Sequence, residues 1–201
     1  NGIGTDANCN GSSDGSALIT VSGGTTDYTY LWDSGITTPI LSGIPAGSYA
    51  VTVYDANLCN DNVTISISDP SSISISISSV SITCNGDSDG SATAVAIGGN
   101  SGYSYLWTDN QTTSFSTGLS AGIQSVTVED NLSCTQSQIV TISEPSSIIV
   151  SYSTIDAACG NSNGSATLNP SGGMSGYTYI WSNSGTSQTL TGLDANVYLA
   201  T

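Results

Sequence analysis

Apolar and polar residues alternate along this chain in short runs. Residues 72–77 read S-I-S-I-S-I, with Ile73, Ile75 and Ile77 on one side. Strict alternation marks a strand with one buried face. The phase then slips, because Val80 and Ile82 fall on even numbers. A one-residue slip turns every later side chain to the other face unless a kink absorbs it. A first strand that crosses from one sheet to a second accounts for the slip. Further short strands are predicted over about 91–97, 103–108, 113–119, 123–129 and 138–143. Turn residues separate them: Gly98-Gly99-Asn100, Asp109-Asn110, Ala121-Gly122 and Glu129-Asp130-Asn131. No stretch carries a helical period, and the Ser, Thr, Val, Ile and Tyr content suits pleated sheet. Six or seven such strands with regular turns predict a two-sheet β-sandwich.

The pattern then recurs. Cys9, Cys84 and Cys159 are evenly spaced, and the same interval separates Cys59 from Cys134. Trp32 and Trp107 share that interval, and Trp181 follows at one position less. Around them the text repeats as CNGSSDG (9–15), CNGDSDG (84–90) and CGNSNG (159–164), then a Gly-Gly pair, then Y-x-Y-x-W. A unit of this length suits a small autonomous domain better than a solenoid turn. The expected architecture is all-β, a tandem array of β-sandwiches of about 75 residues. Repeat 1 covers 1–69 and lacks its start, repeat 2 covers 70–144 and is complete, and repeat 3 covers 145–201. The third copy reaches Thr201 before its second cysteine, due one repeat interval beyond Cys134, so the segment reads as cut from a longer array.

Each complete unit holds two cysteines at the same separation, Cys9 with Cys59 and Cys84 with Cys134. One precedes the second strand and the other follows the fifth, a placement expected to bring both to one pole of the sandwich. The expectation is a disulfide inside each unit, Cys9–Cys59 and Cys84–Cys134, with the partner of Cys159 beyond the chain end. Zinc needs four ligands, and a unit offers two cysteines and no histidine. Closing such a loop stabilises by about 4 kcal/mol on the chain-entropy account, and a disulfide implies an oxidising, extracellular setting. The units join through I-S-D-P-S-S-I and I-S-E-P-S-S-I, where Pro70 and Pro145 stiffen the linker.

Trp32, Trp107 and Trp181, with Tyr30, Tyr105 and Tyr179, are the expected core, like the strand-C tryptophan of immunoglobulin domains. The alternative is an exposed aromatic row that stacks on sugar rings of a surface polysaccharide. Tyr49, entering the fifth strand after Gly47, matches a tyrosine corner, where the third copy has Tyr198 and the second has Gln124. Asp14, Asp87 and Asp89 lie in Gly-rich turns. They are read as turn residues, with calcium as the alternative.

Composition narrows the functions. The chain has no Lys, Arg or His and 15 carboxylates, a formal net charge of −15. Nothing here neutralises phosphates, so nucleic acid is excluded as a partner. A P-loop lysine, an arginine clamp or a Ser-His-Asp triad is impossible. No acidic pair recurs in a way that suits glycoside hydrolysis, and the expectation is a non-enzyme without a cofactor, calcium aside. No apolar run approaches the length of roughly 18 residues that marks a spanning helix, so no membrane insertion is expected of this segment.

The order C-N-G-x-x-D-G-S, G-G, Y-x-Y-x-W and A-G-x-Y-x-V-T-V, ending in an Asp/Asn-rich cysteine turn, resembles the SprB-type repeat. The Y-x-W and G-x-Y-x-V-x-V elements are also similar to PKD and other immunoglobulin-like domains. The resemblance spans essentially the whole chain. It implies large cell-surface adhesins of gliding Bacteroidota: an extracellular stalk or filament, secreted or attached to the outer membrane. Its partners would be neighbouring repeats of the same chain, surface polysaccharide or other filament chains. The third copy departs from the pattern, with Gly160-Asn161 for Asn-Gly and Asn163 for the aspartate.

Overall fold

The computed structural model describes all 201 residues, and it contains strands and turns but no helix. The first copy contributes β1 (Gly2–Thr5), β2 (Gly15–Ile19), β3 (Thr29–Trp32), β4 (Ile40–Ile44), β5 (Gly47–Tyr54) and β6 (Asn60–Ile67). The second contributes β7 (Ser74–Val80), β8 (Gly90–Ile97), β9 (Ser104–Trp107), β10 (Phe115–Leu119), β11 (Gly122–Glu129) and β12 (Thr135–Ile142). The third contributes β13 (Ile149–Ile155), β14 (Gly164–Ser171) and β15 (Thr189–Leu193). The strands expected in the complete unit are all present, displaced by no more than a few residues at their ends.

Pairing sorts them into three-stranded sheets. These run β1-β2-β4 and β3-β5-β6 in the first copy, β7-β8-β10 and β9-β11-β12 in the second, and β13-β14-β15 in the third. The third copy's other sheet is represented by one antiparallel bridge, Trp181 to Ala200. So the first, second and fourth strands share one sheet, and the third, fifth and sixth share the other. That is the immunoglobulin-like division into an A-B-E and a C-F-G sheet, with the D strand absent. The fold class is therefore all-β and immunoglobulin-like, as the strand pattern predicted.

The sheets enclose a core because alternate residues of each strand face inward. In the first copy Ala17, Ile19, Trp32, Leu41, Ile44, Val51, Ile65 and Ile67 form one cluster drawn from five strands. Trp32 and Trp107 are 1% and 2% exposed, which removes them from any sugar-stacking surface. Each indole N–H must then find a buried acceptor. Trp32, Trp107 and Trp181 donate to the carbonyls of Thr38, Thr113 and Ser187 at 2.8, 2.9 and 2.8 Å. Tyr30, Tyr105 and Tyr179 are half-buried on the same strand face. The Tyr49 hydroxyl donates to the Pro45 carbonyl at 2.8 Å, closing a tyrosine corner. In the second copy the Gln124 side chain instead accepts from the Thr108 hydroxyl at 3.0 Å.

The phase slip in the first strand has a visible cause. Val80 is 63% exposed and Ile82 is 4% exposed. Between them the chain leaves β8, and the Ile82 N–H donates to the Ser143 carbonyl, past the end of β12 in the opposite sheet. In the first copy the Ala7 N–H donates to Ser68 in the same way.

The chain packs as two compact units. One comprises Asn1–Ser78, Thr93–Ser116 and Gln124–Ile139; the other comprises Ser79–Ala92, Thr117–Ile123 and Val140–Thr201. Each unit wholly contains one of the two Pro linkers.

Candidate functional site at the repeat junctions

Each sandwich has two poles. The chain enters at the proximal pole, beside the second-to-third strand loop, and leaves at the distal pole, beside the first-to-second strand turn. The linker between them carries backbone groups outside any sheet, and these need partners. At the distal pole of the first copy the Asn10 amide donates to the Pro70 carbonyl at 3.0 Å, and the Gly11 N–H donates to the Asp69 carboxylate at 2.7 Å. The second junction repeats this arrangement. Asn85 donates to Pro145 at 3.0 Å, and the Gly86 N–H donates to the Glu144 carboxylate at 2.7 Å. The Asn-Gly of the C-N-G motif is thus a clamp on the acid-Pro pair 58 to 60 residues later. Gly11 and Gly86 have φ of 73° and 85°.

The Gly-Gly pair holds the other end of the linker. The Gly99 N–H donates to the Ser71 carbonyl at 2.7 Å, and Gly173 donates to Ser146 at 2.7 Å. A Cβ added at Gly98 or Gly172 would collide with the carbonyl oxygen of Ser72 or Ser147. Their φ values, 83° and 77°, also exclude ordinary L-residues. The first aromatic of Y-x-Y-x-W braces the loop, since the Tyr28, Tyr103 and Tyr177 hydroxyls donate to the Gly23, Gly98 and Gly172 carbonyls.

An aspartate builds the cysteine turn at this pole. One Asp130 oxygen accepts from the N–H groups of Leu132 and Cys134 at 2.9 and 3.0 Å; the other accepts from Asn100 N–H at 2.8 Å. Asp130 is 4% exposed. Burial opposes its ionisation, but the donors of Asn100, Cys134 and Leu132 prevail and hold its carboxyl below the ordinary value. Asp55 does the same for Cys59. The Thr25 N–H is the main cause of its lowered pKa, and the Cys59 and Asn57 N–H groups add to it against a desolvation cost. Sequence reasoning marked Asp130 only as a turn residue and missed Asp55 and the clamp. Their signal was the recurrence of Asp four positions before each second cysteine, and of an acid before each linker proline.

The cysteine pairing expected from spacing is corrected here. Cys9 is bonded to Cys134, with Cα atoms 5.6 Å apart and a sequence separation of 125; Cys59, Cys84 and Cys159 are free and exposed. Neither Cys9–Cys59 nor Cys84–Cys134 forms. The two cysteines of a unit lie at opposite poles, because Cys59 precedes β6 while Cys9 lies beside its far end. Eight residues of strand separate poles by roughly 25 Å, far beyond the Cα separation a disulfide allows. Likewise Cys134 precedes β12, and the Cys84 turn is clamped to Glu144 after its other end. The bond that does form crosses the junction, from the distal pole of the first copy to the proximal pole of the second. Beside it the Asn100 amide donates to the Asn8 carbonyl at 3.0 Å.

The acidic turn residues serve locally. Asp14 accepts from the Asn8 backbone and side chain at 3.0 and 2.6 Å and from the Ser12 hydroxyl. Asp89 accepts from the Thr83 N–H at 3.1 Å and from its hydroxyl. Asp14, Asp87 and Asp89 do not converge with other Cys, Asp or Glu side chains into a group of three. A cavity of about 830 Å³ forms an apolar groove in the third copy, lined by Val150, Tyr152, Tyr179, Val197 and Leu199. It lies on a sandwich whose second sheet is reduced to a single bridge.

Compared with known families, residues 1–37, 76–112 and 151–186 each match the SprB repeat, together more than half of the chain. The chain belongs to the SprB repeat family. The three SprB matches begin at positions 1, 76 and 151, a constant step. Each takes in the C-N-G turn or its variant, the Gly-Gly pair and the aromatic run. No curated protein matches the chain at a significant level. One similar solved structure is the "amphioxus IgVJ-C2 molecule", 10% identical, with a TM-score of 0.31 over 66% of this chain and 97% of that one. The immunoglobulin-like assignment of these SprB repeats rests instead on strand order, the buried strand-C tryptophan and the tyrosine corner.

Proposed function

We propose that this chain is a structural segment of an extracellular bacterial cell-surface adhesin or filament, a stalk of SprB-type modules over 1–69, 70–144 and 145–201. The junction carries the reading. A linker gripped at both ends and bridged by a disulfide is built to transmit load between modules, not to bind a small ligand. Family membership supports a surface-adhesin repeat region, and the disulfide fits an oxidising compartment outside the cytoplasm. The repeated arrangement gives no copy a distinct catalytic constellation, and the tryptophans serve the core. Under this reading the module's partners are its neighbours, and adhesion or gliding belongs to the larger assembly.

The test is immunogold labelling of intact source cells with antibody raised to residues 1–201. The expected result is label on unpermeabilised cells, along filaments or at the outer surface. Label that appears only after permeabilisation overturns the reading.

A further inference from the structure

The three exposed cysteines are arranged too regularly to be three unrelated thiols. Cys84 repeats the setting of Cys9. Both sit in a C-N-G turn whose asparagine and glycine grip the next linker, at equal distances of 3.0 and 2.7 Å. At both junctions the following Gly-Gly pair docks on the two linker serines, with the same 2.7 Å hydrogen bond. Linker length and both anchors are therefore equal, and each junction lies inside a single compact unit. At the first junction this frame brings Cys134 onto Cys9. At the second, the same frame brings whatever stands at the Cys134 position of the following module onto Cys84. Cys59 repeats Cys134, because Asp55 holds its N–H at 2.9 Å as Asp130 holds that of Cys134 at 3.0 Å.

We propose that the opening-turn cysteine of each SprB module is the covalent partner of the second cysteine of the module that follows. Cys84 and, by register, Cys159 are then distal half-staples, and Cys59 is a proximal half-staple. Each takes a cysteine of an adjoining module of the same family. This rests on the modular reading above but is separable from it, since a module on the cell surface can have either pairing.

Each staple forms by thiol–disulfide exchange. A cysteine thiolate attacks an incoming protein or small-molecule disulfide and releases one of its sulfurs as thiolate. The partner cysteine, deprotonated, then displaces the second sulfur. Two thiols lose two protons and two electrons, and the incoming disulfide is reduced to two thiols.

The consequence is a continuous covalent load path. From one staple to the next but one the chain runs from Cys59 to Cys84 through β6, a linker and β7. It runs from Cys134 to Cys159 through β12, a linker and β13. Both segments are equally long and are largely strand already. Tension passes from staple to segment to staple and bypasses the loops of each sandwich.

The test inserts a second copy of residues 70–144 between Glu144 and Pro145. The new seam reads E-P-S-S-I, identical to the natural one. The chain is refolded with oxidised and reduced glutathione, alkylated and digested with pepsin, because it offers trypsin no site. Peptide mass spectrometry then maps its bonds. The expected pairs are Cys9 with the first Cys134, and the first Cys84 with the second copy of Cys134. Cys84→Ser in the first copy should free the second copy of Cys134 to alkylation. A bond between Cys84 and Cys134 of the same copy, or an unpaired second Cys134 in a chain with blue-shifted tryptophan emission, overturns the proposal. If the insertion fails to fold, residues 128–144 appended after Thr201 give the third copy its own cysteine turn. That cysteine must take Cys84, and bonding to Cys159 overturns the proposal equally. Surface labelling is unaffected by either outcome, so the two readings fail independently.

Discussion

Gly98 and Gly23 occupy the same place in the repeat but face different surroundings. A Cβ at Gly98 strikes the Ser72 carbonyl, whereas nothing lies within 4 Å of one at Gly23. Both have positive φ, so an L-side chain is strained at either, but only Gly98 must also displace a linker. Gly98→Ala is expected to destabilise by more than about 1 kcal/mol and Gly23→Ala by less, as read from urea unfolding of the two variants. Trp107 is a second residue with a defined cost. It fills the core of the second copy and donates to Thr113 at 2.9 Å. Trp107→Ala should cost about 3–5 kcal/mol, and a loss under about 1 kcal/mol by the same measurement would place the ring outside the core.

At the scale of turns and linkers, carboxylates accept from backbone N–H groups that no strand pairs. Asp55 and Asp130 have lowered pKa values because backbone N–H groups are aimed at them. A carboxyl whose folded pKa lies below its unfolded value adds stability that is complete above the unfolded value, near 4, and is lost as the pH falls through the folded one. The melting temperature should therefore fall as the pH drops below about 4. Asp130→Asn should lower it at pH 7 and flatten that fall, which thermal melts across the range would reveal. The Asp14 and Asp89 carboxylates are already engaged by their own turns. EDTA is accordingly expected to leave the melting temperature unchanged in calorimetric scans of calcium-loaded and chelated protein.

For the whole molecule, the junction disulfide matters more for mechanics than for loop entropy. On the chain-entropy account, the bond across the junction gains less than about 1 kcal/mol over one closed within a module, because the cost grows only with the logarithm of loop length. Under tension the difference is large. With Cys9 bonded to Cys134, at a sequence separation of 125, the stretch between them cannot be drawn out. Reduction releases it, at about 3.5 Å per residue, on the order of 400 Å of added contour. Force–extension curves of the chain held by its ends, with and without a thiol reductant, should differ by that length. Equal contour lengths would show that the bond does not lie in the load path.

Strand positions, the repeat, the buried tryptophans and the absence of cationic chemistry were legible in the sequence, because each depends on local alternation or on composition. The S-I-S-I-S-I run and its slip at Val80 even marked where the chain crosses between sheets. The grip of Asn10 on Pro70 and the turn built by Asp130 were present only as recurrences without a stated partner. Cysteine pairing was not legible at all. Spacing along the chain measures contour, whereas a disulfide requires two Cα atoms within about 7 Å. Strand direction decides that distance: Cys9 and Cys59 stand at opposite ends of β6, and the linker clamp carries Cys134 of the next module to Cys9. Local pattern thus determined the module, and tertiary packing alone decided that its covalent bond belongs to the joint between modules.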